Sequence, residues 1–417
     1  MTHPNLNRAS PVLQRFGIML DLIQLARQMQ GISAHLTQEA EAARRRVQIA
    51  QTLMAQAQTR QAELVAALQD WRDRVPFAVA EPIEPLESRI AIAPAPEAHT
   101  VFATDGSQIS PSHHEIAYCY LLNVGRVVLH YGQSRYPQID SHPEVIYRPE
   151  ELYVSRQWGI GTEEWMGYRR TVAEAEALAG LGAERVHKGT ELTESSVPQL
   201  ALTDGSLIYW FLEELPTAAR DRILPPILAA WEQLRQARIP LVGYVSASRS
   251  GEALNFLRLQ SCPHTAPDCL SHCPDRLEKA PCQVFSPLRD VALWNTALEP
   301  GQRGPLWRSS AGILDQYGAH QVYFCYLHVG SEIARVEMPG WVATDATYRD
   351  AALGMVLTQV QKGYGYPVTL AEAHNQAVVR GGDRTRFFAL LEREMIRAGL
   401  TNVGTSYKEA RKRSSIA

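Results

Sequence analysis

Two aspartates stand in nearly the same setting, Ala103-Thr104-Asp105-Gly106-Ser107 and Leu202-Thr203-Asp204-Gly205-Ser206. Each follows a short apolar run of strand character, and a glycine follows each directly. An aspartate at the mouth of a buried strand is held rigidly, and the glycine lets the backbone turn away sharply. On neighbouring strands the two carboxylates would lie side by side, where their repulsion invites a cation between them. Oxygen ligands of this kind suit Mn²⁺ or Mg²⁺, ions that generate hydroxide and steady the charged oxygens of phosphodiester hydrolysis. One Asp-Gly alone reads as a turn, so it is the repetition after two strand-like segments that carries chemical meaning. A rival chemistry is nucleotide binding of the actin-like kinase type, but no glycine-rich phosphate loop accompanies the aspartates.

A third acidic ligand would come from the helical stretch before Asp204, which offers Glu174 and Glu176. Residues two apart on a helix point about 200° away from each other, so one faces the sheet and the other solvent. Periodicity leaves open which. Nearer the C-terminus stands Gly363-Tyr364-Gly365-Tyr366-Pro367, with His374 seven residues beyond the proline. Pro367 biases Tyr366 toward extended backbone. Thr369 and Glu372 have the spacing of a capping box for a helix carrying His374. A histidine beside carboxylates could bind metal or move protons near neutral pH, although a lone helix histidine also fits a structural role.

The elements that must position these groups follow from periodicity. Residues 11–75 read as helix, with Leu22, Leu25 and Met29 at helical spacing, then Leu64, Leu68 and Trp71, and a bend at Gly31. This is an arm for packing or oligomerisation, folded as an antiparallel hairpin or coiled coil. Residues 76–98 are proline-rich and read as a linker or an extended surface segment, with a domain boundary there. Strands are expected at 100–104, 116–123 and 126–130, the last two joined by a turn at Gly125. A helix at 163–181, a strand at 200–203, a helix at 216–238 and a strand at 241–245 come next. Strands at 321–328 and 334–337 and helices at 346–362 and 370–380 close the chain. That order predicts a mixed α/β sheet flanked by helices.

In this order the motifs resemble the NurA family of DNA-repair nucleases: an early Asp-Gly-Ser strand end, an Arg/Glu helix, a second Leu-Thr-Asp-Gly-Ser-Leu and a late Tyr-Pro followed by histidine. The likeness spans roughly residues 99–385 and takes in Leu241-Val-Gly-Tyr-Val-Ser-Ala-Ser-Arg249 and Ala334-Arg-Val-Glu-Met-Pro339. It implies a ribonuclease-H-like nuclease domain over 99–417 behind the helical arm, and a Mn²⁺-preferring deoxyribonuclease. That enzyme would degrade DNA from 5′ ends and cut single strands during double-strand-break end resection, with a HerA-type hexameric ATPase. It also implies a homodimer with a central channel for DNA. Carried over by position, Asp105 and Asp204 are the metal aspartates, Glu174 the helix glutamate with Glu176 as alternative, and Tyr366 and His374 the late pair. The alternative is a catalytically silent adaptor of the same fold that docks on the ATPase.

Composition sets the remaining bounds. With 45% hydrophobic and 20% charged residues the chain reads as globular, and no run approaches the ~20 apolar residues of a membrane helix. No signal-type N-terminus is seen, so a cytoplasmic protein is expected. A net charge of −3 excludes a globally basic DNA binder, so DNA must meet a local patch or channel. The basic tail 408–413 reads as solvated. Of six cysteines, Cys119 and Cys325 sit in apolar strand-like runs and read as core. Cys262, Cys269, Cys273 and Cys282 crowd into 21 residues, with His264 and His272 among them, in an insertion at about 258–285 foreign to the NurA pattern. Their gaps do not match a paired CxxC finger. Structural Zn²⁺, an iron–sulfur cluster and unligated thiols all stay open.

Overall fold

The computed structural model describes residues 21–110, 118–187, 197–274 and 279–399. The basic tail and residues 11–20 of the expected arm lie outside them. Among the described residues one eleven-stranded sheet runs through the molecule. Its strands are β1 (Ala80–Pro82), β2 (Ile90–Ala91), β3 (His99–Ile109), β4 (Tyr120–Tyr131), β5 (Gln138–Ile146), β6 (Gln199–Asp204), β7 (Leu241–Val245), β8 (Gln302–Arg303), β9 (Trp307–Ser309), β10 (Val322–His328) and β11 (Ile333–Pro339). They lie in the order β1-β9-β10-β11-β7-β6-β3-β4-β5, with β2 and β8 paired off this row. β3, β4 and β5 form an antiparallel meander, β6 runs parallel to β3, and β7 parallel to β6. The longer helices are α1 (Leu22–Gln28), α2 (Ile32–Thr59), α3 (Gln61–Asp70), α4 (Thr162–His187), α5 (Leu224–Gln236), α6 (Glu252–Gln260), α7 (Ala346–Lys362), α8 (Val368–Ala377) and α9 (Gly381–Arg397).

The expected mixed sheet flanked by helices is therefore present. Alternation along β3 sends Phe102 into a core with Leu178 of α4 and Ile227 and Trp231 of α5. Val101 and Ala103 point the other way, into a core with Val356 of α7 and Leu370 of α8. Because β3, β6 and β7 are buried on both faces, their sequences read as continuous apolar runs rather than alternating ones. A third core joins the arm to the sheet edge. There Ala50, Met54, Ala57, Leu64 and Leu68 pack with Phe256 and Leu257 of α6 and with Trp307 and Phe324. Among the described residues no helix is long and apolar enough to cross a membrane.

Several elements differ from the sequence expectation, each for a physical reason. Gly125 is not a turn; β4 runs unbroken through it, paired with β3 and β5. Glycine is needed there because a Cβ would stand 2.5 Å from the Ala377 amide nitrogen and nearer still to the Ala373 carbonyl of α8. β5 was not foreseen, since QIDSHPEVI is a largely exposed polar edge strand containing proline. The helix expected over 216–238 is two, Thr217–Arg220 and α5, with proline in the first turn of the second. Of the two forms expected for residues 76–98, the extended segment is the one present, with β1 and β2 docked on β9 and β8. Thr369 does not cap α8: Pro367 occupies that position and the buried Thr369 hydroxyl donates to Gln359. α9, absent from the expectation, lays Phe388 over Ile109 and Leu121.

Gly125→Ala should therefore destabilise the protein by about 1–3 kcal/mol, the range for overpacking a filled interior. Gly180→Ala, where a Cβ meets nothing within 4 Å in mid-helix, should be neutral or stabilising by up to ~1 kcal/mol. Thermal unfolding of the two variants decides this, and equal melting temperatures would contradict the packing argument.

Candidate active site

β3 does not end at Asp105 as its sequence suggests: it runs on through Gly106 to Ile109, paired with β4 throughout, and carries Asp105 directly opposite Gly125. Because that glycine admits the backbone of α8, His374 on the helix comes within reach, and its Nδ1 lies 2.8 Å from Asp105 Oδ2. The other Asp105 oxygen accepts the Gly106 N–H at 2.8 Å. The end of α8 is tied down by Asn123 Nδ2, which donates to the Ala377 carbonyl at 2.8 Å, and by the Ser107 hydroxyl, which donates to the same oxygen.

Glu174 enters from α4. The Thr104 hydroxyl donates to the Glu174 backbone carbonyl at 2.9 Å and fixes the helix against β3. At Gly106 a Cβ would stand 2.6 Å from Arg170 Cγ and closer to the Glu174 carboxylate, so both side chains would have to shift. Arg170, one turn earlier, pairs with Glu174 at 3.2 Å. Burial pushes the Glu174 carboxyl up to about 8; Arg170 opposes the shift, and Asp105 and Asp204 add to it. Glu176 is exposed on the outer side of α4. The two glutamates thus part as the helix requires, and Glu174 is the one that meets the aspartates.

Asp204 ends β6 and receives a hydrogen bond from the Tyr366 hydroxyl. Its carboxyl is shifted upward by loss of hydration, against the Tyr366 hydrogen bond and with repulsion from Asp105. Loss of hydration and the Asp204 charge raise the Tyr366 phenol as well. The ring of Tyr366 stands edge-on to Tyr244 at 5.7 Å, and the Tyr244 hydroxyl donates to Glu332 at 2.9 Å. Behind Asp204 the chain turns through Gly205 at φ +91°. The turn is clamped by Glu337, whose Oε2 accepts from the Ser206 hydroxyl at 2.9 Å and from the Leu207 N–H at 2.7 Å. Glu337 Oε1 pairs with Arg335 at 2.6 Å, and Arg335 pairs in turn with Glu252 at 2.7 Å. Arg335 and Glu337 are almost completely buried.

All five expected residues, Asp105, Glu174, Asp204, Tyr366 and His374, thus meet in one place. Arg170, Glu332, Arg335 and Glu337 were not foreseen as part of it. The last two lie in the Ala334–Pro339 stretch, where the signal was a pair of opposite charges inside an otherwise apolar strand. Three carboxylates with a histidine beside them are the oxygen-rich donor set a hard divalent cation takes. As they stand, each carboxylate is turned to a partner of its own. Among the described residues no group of three or more His, Cys, Asp or Glu side chains is spaced, as it stands, to hold a metal ion.

The fold and site define a mixed α/β protein in which two central strands and a helix packed on them carry a carboxylate cluster flanked by tyrosine and histidine. Residues 99–379 match the NurA domain, and the chain belongs to that family. Comparison with curated proteins returns no match. Among solved structures, that of the NurA nuclease from Sulfolobus solfataricus is similar at 12% identity, with 91% of this chain and 98% of that chain covered and a TM-score of 0.49. A likeness of that strength carries no argument about the site.

Two outcomes follow. Folding favours protonated Glu174, so the stability from this preference is complete below the ordinary carboxyl value of 4.5 and is lost as pH rises through about 8. A cation taking the carboxylate must displace that proton, so its affinity should rise about tenfold per pH unit up to that point and then level. Thermal shifts with Mn²⁺ across that range measure this; Glu174→Gln should flatten the slope, and a flat wild-type profile would contradict it. Glu337→Ala should cost about 3–5 kcal/mol, because it strands the buried Arg335 and frees the turn behind Asp204. Chemical denaturation measures that loss.

Proposed function

We propose that this chain is a divalent-metal-dependent deoxyribonuclease that hydrolyses phosphodiester bonds at Asp105, Glu174 and Asp204. The observation carrying the reading is the convergence of three carboxylates from β3, α4 and β6, with Glu174 held to about 8 by burial and its acidic neighbours. Such a set is costly without a cation to share. Mn²⁺ is the proposed ion, with Mg²⁺ as substitute; when bound it supplies an activated water and charge stabilisation at the scissile phosphate. Asp105, Glu174 and Asp204 would hold it. Tyr366 orients Asp204 through the hydrogen bond its hydroxyl donates. His374, held at Nδ1 by Asp105 and 68% exposed, keeps its other ring nitrogen free to give a proton to the leaving oxygen or to contact phosphate.

The strand order β5-β4-β3-β6-β7, an antiparallel meander followed by two parallel strands, supports a ribonuclease-H-like core for residues 99–417. Family membership supports the finer reading: a 5′-to-3′ exonuclease and single-strand endonuclease acting in cytoplasmic DNA end resection with a HerA-type hexameric ATPase. A homodimer with a DNA channel reconciles DNA binding with a net charge of −3. The exposed apolar residues Leu22, Met29, Ile32 and Leu36 at the start of the arm are a candidate contact for it.

The test is hydrolysis of 5′- and 3′-labelled single- and double-stranded DNA with Mn²⁺. Asp105→Ala and Asp204→Ala should each lower the rate about a thousandfold, equivalent to ~4 kcal/mol of transition-state stabilisation, without lowering the melting temperature. Full activity in both variants would sink the proposal. A folded wild-type protein inert under both ions would favour the silent adaptor.

A further inference from the structure

The nuclease reading leaves the cysteine insertion unexplained. Cys262, Cys269, Cys273 and Cys282 all line one small cavity, with His264 and His272 at its wall. The free space between them, about 10 Å³, is that of a single water or ion. Cys269 is close enough to the other three sulfurs, and Cys262 to those of Cys273 and Cys282, for ionised thiols at these positions to repel one another. All four are free thiols. The two histidines stack on each other at 4.1 Å, nearly parallel.

A second observation concerns a side chain in contact with one of the four sulfurs. Arg258 of α6 is only 4% exposed, and its Nη2 lies 3.5 Å from Cys282 Sγ. Its guanidinium covers the Phe77 ring at 3.7 Å, its other hydrogen bond is a 3.5 Å contact to Asn255 Oδ1, and its Nε has no partner. Among the described residues no carboxylate pairs with it. A buried guanidinium without a counter-charge is costly, and neutral thiols supply none.

We propose that Cys262, Cys269, Cys273 and Cys282 bind one Zn²⁺ as four thiolates, with Arg258 as the counter-charge of the resulting dianion. Each S–H bond is replaced by an S–Zn bond and its proton leaves to solvent, so binding releases four protons. The thiols are gathered but not yet at ligand spacing, so the ion draws the loop closed. Its role is to staple. Within the insertion Asp268 caps the short helix Cys269–His272 and takes two hydrogen bonds of 2.9 Å from Arg74, just after α3. The zinc would fix the base from which Asp268 holds the end of the arm.

The test is elemental analysis of full-length protein purified under reducing conditions without chelator. About one zinc per chain is expected, falling at least tenfold in Cys262→Ser and Cys282→Ser. Because those variants could misfold, wild-type protein is also stripped with chelator. Four thiols should become reactive, Zn²⁺ should protect them again, and Co²⁺ should give the intense visible absorption of tetrahedral thiolate coordination. Absence of zinc and of the cobalt spectrum overturns the proposal. So do iron with acid-labile sulfide, or disulfides among these cysteines. Asp105→Ala should keep its zinc, so failure of the nuclease reading and failure of this one are told apart.

Discussion

Three carboxyl groups are held within reach of one another, in the body of β3, at the end of β6 and on α4, and burial together with their mutual repulsion keeps the proton on Glu174. Each acid is given a separate partner: Asp105 the His374 ring, Glu174 the Arg170 guanidinium, Asp204 the Tyr366 hydroxyl. These partners do not offset the burial of Glu174, whose carboxyl is pushed up to about 8 and so keeps its proton at neutral pH. The proton on Glu174 thus stands where a positive charge would otherwise be needed, and a cation entering the proposed site would have to replace it.

Backbone proximity makes this cluster possible. Gly125 lets α8 descend onto β4 opposite Asp105, and this one contact delivers His374. Gly106 lets the Arg170–Glu174 side chains cross β3. In both places a methyl group would meet atoms within 3 Å. These are long-range requirements, and this explains which parts of the site could be read in the sequence. Asp105, Asp204, Tyr366 and His374 were legible because each sits in a local pattern, an Asp-Gly-Ser after an apolar run or a Tyr-Pro ahead of a helix, although β3 runs on past Asp105 to Ile109. The choice between Glu174 and Glu176 was not, because it depends on which side of α4 meets the sheet. Gly125 was misread for a related reason: a glycine between two apolar runs carries the signature of a turn, and only the helix lying across it reveals its use.

The same distinction holds for the fold. β7 and α7 have the bounds their periodicity gives, since both are set by burial against the sheet. β5 escaped notice because an edge strand needs no apolar alternation. Thr369 had the local spacing of a cap, but a buried hydrogen bond to Gln359 on another helix outweighed it. The arm shows how far amphipathic pattern goes: its second half is legible as a buried face and is one, while the first residues expose the same kind of stripe.

α6 ties the two halves of the molecule together. At its start Glu252 pairs with Arg335, which holds Glu337 on the turn behind Asp204, and Asp290 accepts the Ala253 and Leu254 amides. At its other end Arg258 faces the four cysteines. A buried ion pair such as Arg335–Glu252 contributes little net stability over an apolar pair of the same shape, since desolvation offsets most of the attraction. What it does provide is a single admissible register, because any slip of α6 against β11 would leave a buried charge unpaired. The helix thus acts as a rigid strut, and the order of the insertion and the position of Asp204 are set against the same element.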